Sequence, residues 1–254
     1  MERMFANKVV VITGAGAGNG MSSAFPLAFA KEGANLALNY YNDDIEAIEK
    51  FSGKIKENGV DVLWIKGDIS TEEVARRLIY EAVDKYGRID VLINLAGISN
   101  PKPIEDISFD EWHRMLAVSL DSTFLTCKYA VPFMKKQKSG RIINISSQLG
   151  QKGSANRTHY TAAKAGIIGF TKSLARELAE YGITANCIAP GPVDTQFVGK
   201  LSEDWKRKQA ASLPISRYGR VEEIVPSALF LASSPAGDLY TGQTLGPNCG
   251  DVML

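Results

Sequence analysis

Tyr160 and Lys164 close a stretch that begins at Ser146, in the run Tyr160-Thr161-Ala162-Ala163-Lys164. On a helix of 3.6 residues per turn this spacing puts a phenol and an ammonium one turn apart on the same face, pointing into one volume. A nearby cation favours the phenolate. A free tyrosine has a pKa of roughly 10, and lowering it by about 3 units takes roughly 4 kcal/mol of differential stabilisation. One lysine supplies part of that, and a second cation held alongside would add to the same field. Such a pair can give a proton to a carbonyl oxygen or take one from an alcohol, provided that a bound cofactor carries the hydride.

The elements that must position this pair are legible as a repeating pattern. Residues 8–13 (KVVVIT) form a short β-branched run that reads as a strand buried on both faces. Gly14, Gly16, Gly18 and Gly20 follow, and then a helical pattern through Leu27 and Phe29 that Gly33 closes. Strands are predicted at 36–39, 62–65, 91–94, 141–145, 183–189 and 243–245. Helices are predicted over 44–58, 74–86, 109–136 and 160–181, with a last one starting near Glu222. This alternation predicts an α/β fold: a Rossmann-type doubly wound parallel sheet of about seven strands in a single domain spanning 1–254. In such a sheet the ligand sits beyond the carboxyl ends of the strands. The informative residues gather there: Gly14 after the first strand, Asp68 after the third, Asn94 to Gly97 after the fourth, Ser146 and Ser147 after the fifth, and Pro190-Gly191 after the sixth.

Composition narrows the function. The chain of 254 residues is 45% hydrophobic and 22% charged, enough for one deep core. Its 29 basic and 28 acidic residues form no long run of either sign, which argues against nucleic acid or an anionic membrane and for a small-molecule partner. Cys127, Cys187 and Cys249 lie in no metal-like spacing, with only His113 and His159 to help them. They read as reduced thiols of a cytoplasmic protein, and no metal site is expected. The start of the sequence, 1–8, leads into a strand and no apolar run reaches about 18 residues, so neither export by a leader nor a membrane span is expected.

Glycines at a helix N-terminus let backbone amides approach a pyrophosphate, which the helix dipole also favours. The common G-x-G-x-x-G spacing fails here, because its third position is Asn19; G-x-x-x-G-x-G fits at Gly14, Gly18 and Gly20. Thr13-Gly14 with the later glycines, Asn94-Leu95-Ala96-Gly97, Ser147, Tyr160 with Lys164, Pro190-Gly191 and the tail 240–245 together resemble the classical short-chain dehydrogenase/reductase family over essentially the whole chain. The branch most resembled is that of 3-oxoacyl reductases and related secondary-alcohol dehydrogenases. The separation 160 − 147 = 13 matches the family's spacing and selects Ser147 over Ser146.

The resemblance implies an oxidoreductase that moves a hydride between a nicotinamide cofactor and a ketone or secondary alcohol. Tyr160 would be the general acid/base, Ser147 would bond the substrate oxygen, and Lys164 would hold the nicotinamide ribose and lower the tyrosine pKa. Gly14, Gly18, Asn19, Gly20 and Met21 would form the phosphate turn. Tyr40 would face the adenosine ribose, Asp68 and Ile69 the adenine, and Asn94, Ala96 and Gly97 the cleft wall. Pro190, Gly191, Val193 and Thr195 would cover the nicotinamide. Ser146, Asn144 and His159 are read as structural neighbours. A 3-oxoacyl thioester reductase and a catalytically weak nucleotide-binding sensor or scaffold are the alternatives.

Three departures stand out. The family's usual asparagine in the central helix, which feeds a water chain to the lysine, is Ser119 here. Leu95 replaces the second residue of the usual Asn-Asn-Ala-Gly. Thr13 to Gly33 spans 33 − 13 = 20 steps, longer than the family's usual count. If the helix register is kept, Gly20-Met21-Ser22 takes the place of Gly-Ile-Gly, the excess lies in the loop, and Pro26 falls inside the helix, where it can kink it. The acid that selects NAD(H) at the end of the second strand is missing, Tyr40 standing in its place, so NADP(H) is preferred over NAD(H). No arginine or lysine for a 2′-phosphate is present in the glycine turn or in 39–44. Substrate contacts are expected from 148–158 and from a lid at about 193–212 carrying Phe197, Val198, Leu201 and Trp205. Apolar positions on the two central helices (Ile167, Ile168, Phe170, Leu174 and Leu178; Phe124, Leu125 and Phe133) and the family's habit predict a homotetramer.

Overall fold

The structure is a computed structural model that describes residues 3–18, 20–42, 44–194, 207–208 and 210–253. Seven strands form one sheet: β1 (Val9–Ile12), β2 (Asn35–Tyr40), β3 (Val62–Lys66), β4 (Val91–Asn94), β5 (Gly140–Ile145), β6 (Ile183–Ile188) and β7 (Thr244–Leu245). All neighbours are parallel, in the order β3-β2-β1-β4-β5-β6-β7. The helices between them are α1 (Met21–Lys31), α2 (Ile45–Lys56), α3 (Glu72–Tyr86), α4 (Phe109–Leu116), α5 (Ser122–Gln137), α6 (Leu149–Lys152), α7 (Thr158–Leu178) and α8 (Val221–Ala232).

Alternation along the strands sorts side chains into two layers. Val10 and Ile12 face Phe25, Phe29, Leu36 and Ile224, on the side of α1 and α8. Val11 and Leu92 face Leu78, Ile79, Met134 and Leu178, on the side of α3, α5 and α7. Because both faces are covered, the central strands read as unbroken apolar runs. Ile167, Leu174 and Leu178 are buried within the chain, so the outer surface expected of them is not there. Phe124 is half exposed and Phe109, at the start of α4, is 75% exposed. No helix among the described residues is long and apolar enough to cross a membrane.

Two local features depart from the sequence pattern. The helix expected over 109–136 is interrupted by a π-helical turn, Ala117–Asp121. Hydroxyls bond backward along the chain there, Ser122 to the Val118 carbonyl at 2.7 Å and Thr123 to the Ser119 carbonyl at 3.0 Å, drawing off carbonyls that regular helix bonding uses. The other feature is the glycine turn. Helix α1 starts at Met21, directly after Gly20, and runs through Pro26 to Lys31. This start agrees with the register in which Gly20-Met21-Ser22 stands where the family has Gly-Ile-Gly and the excess lies in the loop.

The strand order reverses between β1 and β4, and the two strand ends are locked there. Thr13 Oγ1 accepts from the N–H groups of Leu95 and Ala96 at 3.1 and 3.2 Å. Gly14 has φ +65°, and a Cβ on it would stand 2.7 Å from Ala96 Cα. Gly14→Ala is expected to lower folding stability by about 2 kcal/mol or more, through strain at positive φ together with that clash. Gly18→Ala meets nothing within 4 Å and should stay within about 0.5 kcal/mol of wild type. Urea denaturation of the two variants checks this, and equal midpoints would show that the two chain segments do not need the close approach.

Candidate active site

The helix α7 carries Tyr160 and Lys164 down to the carboxyl end of β5. Lys164 is 4% exposed, and its Nζ donates to the Ile145 carbonyl at 2.8 Å. Ser146 is taken up by the same joint, its Oγ donating to the Lys164 carbonyl at 2.7 Å. Ser147 faces the other way: its hydroxyl lies near enough to the Tyr160 phenol to act on its acidity and accepts from the Leu149 N–H at 3.1 Å. The short α6 fixes this layer against α7, since a Cβ on Gly150 would lie 2.7 Å from the Lys164 carbonyl carbon. His159 is buried beside Tyr160, and Asn144 donates to Thr171 Oγ1 at 2.8 Å from within the core.

Burial dominates the electrostatics. It raises the Tyr160 pKa above its ordinary value of 10.0, against the opposing hydrogen bond from Ser147 and the charge of Arg157. It also brings Lys164 down to about 8. The expected lowering of the tyrosine by Lys164 is not what this structure has: Lys164 Nζ lies 5.8 Å from the phenol ring centroid with its charge directed at the Ile145 carbonyl. The cation that acts on the phenol is Arg157, its guanidinium carbon 5.9 Å from the ring centroid. The sequence offered a signal for it, an arginine three residues before the tyrosine at the head of the same helix.

Behind the lysine, a Cβ on Gly97 would lie 3.2 Å from Lys164 Nζ and 3.7 Å from Ser119 Oγ. Ser119 is fully buried in the π-helical turn, and its hydroxyl has no hydrogen-bond partner. The structure thus brings Ser119, Lys164 and Gly97 to one spot, as Ser147 and Tyr160 meet at another.

The remaining residues line the switch point in different ways. Beside Gly18 and Gly20 a Cβ would meet open space, so ligand atoms can approach their backbone. Helix α1 has no side-chain N-cap and no acid in its first turn, which leaves its amides and dipole to an anion. These features fit a dinucleotide pyrophosphate. Met21 is partly buried at the start of α1, and Asn19 and Thr195 lie outside the described residues. Asn39, which the sequence reading passed over, holds the turn: its Oδ1 accepts from the Gly14 N–H at 3.4 Å and its carbonyl from the Ala15 N–H at 2.8 Å. Tyr40 is turned inward, its ring edge-on to Trp64 at 5.7 Å, so its side chain is packing and does not face a ribose. Ile69 is buried beyond β3, and Asp68 is paired with Arg114 at 2.6 Å.

Asn94 also departs from expectation. Its side chain is buried, accepting from Thr126 Oγ1 at 2.6 Å and donating to Asn144 Oδ1 at 2.8 Å, so it ties β4 to its neighbours instead of lining the cleft. Ala96 and Gly97 bring only backbone and a methyl to the wall. Pro190 is buried, and Gly191 packs so tightly that a Cβ would lie 2.5 Å from Asn248 Cα. Val193 is buried in a bridge to Gly219. A cavity of about 650 Å³, lined by Gly20, Leu27, Asp194, Arg220 and Val225 among others, opens between α1 and α8. It flanks the glycine turn and does not reach Tyr160.

The buried lysine has a measurable consequence in the cofactor-free protein. Its folded pKa of about 8 lies below the ordinary 10.5, so between those values the unfolded chain holds more protons and stability rises with pH. Below that window the charge is a burden of roughly 3 kcal/mol. Lys164→Met removes it and gives up the Ile145 hydrogen bond, which leaves a net gain of about 1 kcal/mol near neutral pH. That gain should vanish toward about pH 10, and denaturation at both pH values checks it. A variant no more stable than wild type near neutral pH would contradict the buried-charge account.

Comparison with known proteins agrees with this geometry. A family model described as enoyl-(acyl carrier protein) reductase matches residues 14–250. A 3-oxoacyl-[acyl-carrier-protein] reductase of Synechocystis sp. is 37% identical over 247 residues, covering 97% of this chain and 98% of that protein. The 3-oxoacyl-[acyl-carrier-protein] reductase FabG of Staphylococcus aureus is 38% identical over 250 residues, covering 98% and 100%. That of Staphylococcus epidermidis is 37% identical over 249 residues, covering 97% and 100%. With a parallel Rossmann-type sheet and full-length relatives, the chain belongs to the short-chain dehydrogenase/reductase family and is an NAD(P)-dependent oxidoreductase acting on a ketone/secondary-alcohol pair.

Proposed function

We propose that Tyr160 is the general acid/base of a 3-oxoacyl thioester reductase, with Ser147 and Lys164 as its partners. The observation that carries this reading is a buried lysine beside the phenol, its Nζ 5.8 Å from the Tyr160 ring centroid and held by the Ile145 carbonyl, with the Ser147 hydroxyl near enough to the phenol to act on its acidity. A reduced nicotinamide, when bound in the cleft, would supply the hydride. Tyr160, kept protonated at neutral pH by its burial, gives its proton to the substrate oxygen. Ser147 donates a hydrogen bond to the same oxygen and stabilises the charge that develops there. Lys164, with a pKa of about 8, exchanges protons near neutral pH and can restore the tyrosine. The unpartnered Ser119 hydroxyl beside it takes the relay place that an asparagine fills elsewhere in the family.

The thioester assignment rests on the names of the full-length relatives. NADP(H) is favoured over NAD(H) by the missing acid at the end of β2. The lid at 193–212, with Phe197, Val198, Leu201 and Trp205, lies mostly outside the described residues and is retained as the substrate cover. Free cysteines, two of them buried, support a reducing compartment such as the cytoplasm. The exposed Phe109 and Phe124 along α4 and α5 support a homotetramer.

Oxidation of NADPH and of NADH, followed by absorbance against a short 3-oxoacyl thioester, cyclic ketones and polyols, tests substrate and cofactor together. No turnover with any of them, despite tight binding of the dinucleotide, would favour a sensor. Tyr160→Phe should abolish turnover and leave cofactor affinity nearly unchanged; retention of more than about a tenth of kcat, a barrier change under roughly 1.4 kcal/mol, would remove the role given to it. Ser147→Ala should slow turnover strongly and Ser146→Ala should not. In sedimentation at micromolar protein a species near four times 27.6 kDa is expected, and a single species near 27.6 kDa would refute the tetramer.

A further inference from the structure

Three successive amides of the β1–α1 turn are already engaged within the protein. The Gly14 N–H goes to Asn39 Oδ1 at 3.4 Å, the Ala15 N–H to the Asn39 carbonyl at 2.8 Å, and the Gly16 N–H to the Ser22 carbonyl at 3.1 Å. The last acceptor is unusual, because Ser22 lies inside α1 and its carbonyl would ordinarily belong to the N–H four residues on. That residue is Pro26, which has no N–H and whose ring pushes the carbonyl four residues back away from the helix axis. The proline is itself buried.

We propose that Pro26 is a positioning residue for the cofactor site: by leaving the Ser22 carbonyl free for Gly16, it fixes the course of a lengthened glycine turn. The turn is held at its first half by Asn39 and at its middle by Ser22. The open backbone at Gly18 and Gly20 and the uncapped start of α1 are then presented to the pyrophosphate. A helix with an ordinary residue at 26 would close its own hydrogen bond and release Gly16, so the extra length of the turn would be free to wander. The inference rests on the reading of this turn as the phosphate cradle.

Pro26→Ala supplies the missing N–H, and Leu27→Ala trims the same helix without supplying one. Amide hydrogen exchange at Gly16 is read in the cofactor-free protein, and NADPH and NADH dissociation constants by calorimetry. In Pro26→Ala the Gly16 amide should exchange faster and the preferred cofactor bind more weakly, each by about three- to tenfold, the worth of one net hydrogen bond. kcat at saturating cofactor should stay within about twofold, since Tyr160 and Lys164 are untouched. Leu27→Ala should lower the melting temperature and change neither quantity. The proposal is overturned if Pro26→Ala matches wild type in Gly16 exchange or in affinity, or if Leu27→Ala moves both equally. Wild-type protein that bound neither NADPH nor NADH would bring down the underlying cradle reading, a result distinct from any behaviour of the Pro26 variants.

Discussion

An ammonium group shut inside the protein is the constraint around which the site is built. Lys164 has the Ile145 carbonyl as its hydrogen-bond acceptor, and burial works against its charge. Everything that touches it holds it in place without neutralising it. Ser146 bonds its carbonyl, Gly150 lets α6 lie directly on its backbone, and Gly97 brings the end of β4 alongside. Among the described residues no carboxylate is paired with it. A partner acid would pin the charge, whereas an ammonium with donors to spare is what the roles proposed for it, holding ribose hydroxyls and passing a proton, would need.

Beneath that joint lies a continuous polar seam. Thr126 donates to Asn94, Asn94 to Asn144, Asn144 to Thr171, and the Cys187 thiol to Thr171 at 3.0 Å. These groups come from α5, β4, β5, α7 and β6, so five elements are registered against one another by side chains that make no contact with water. Buried polar groups are costly unless satisfied, and here each link satisfies the next. The seam fixes the spacing between the strand that leads into Ala96-Gly97 and the helix that bears the phenol. Sub-ångström placement at the site thus has a source in the core.

The fold was readable because a doubly wound sheet writes itself as apolar, β-branched runs separated by helical periods, as in residues 8–13 and 91–94. The motif residues at strand ends were readable for the same reason. What escaped was orientation. Tyr40 and Asn94 occupy the right places in the chain, yet the pleat and the packing of Trp64 and Thr126 turn their side chains into the core. The π-helical turn at Ser119 escaped because its cause is a set of hydroxyls, Ser122 and Thr123, competing for carbonyls one turn back, which apolar periodicity does not register. Asn39 was missed for a related reason, since its contribution is a bond to a loop amide that has no spacing rule, whereas Arg157 carried a spacing signal that apolar periodicity passes over.

The way Ser147 is held has a further consequence, in stereochemistry. Its oxygen accepts from the Leu149 N–H, which orients the hydroxyl and leaves its proton free to be donated beside the phenol. On the proposed roles, a carbonyl oxygen caught at that point is gripped from two fixed directions. On those roles the plane of the carbonyl is set by the protein before any hydride arrives, and a cofactor bound beyond the strand ends would approach it from one side. Reduction at such a site delivers hydrogen to one face, and the alcohol formed from a prochiral ketone leaves as a single enantiomer.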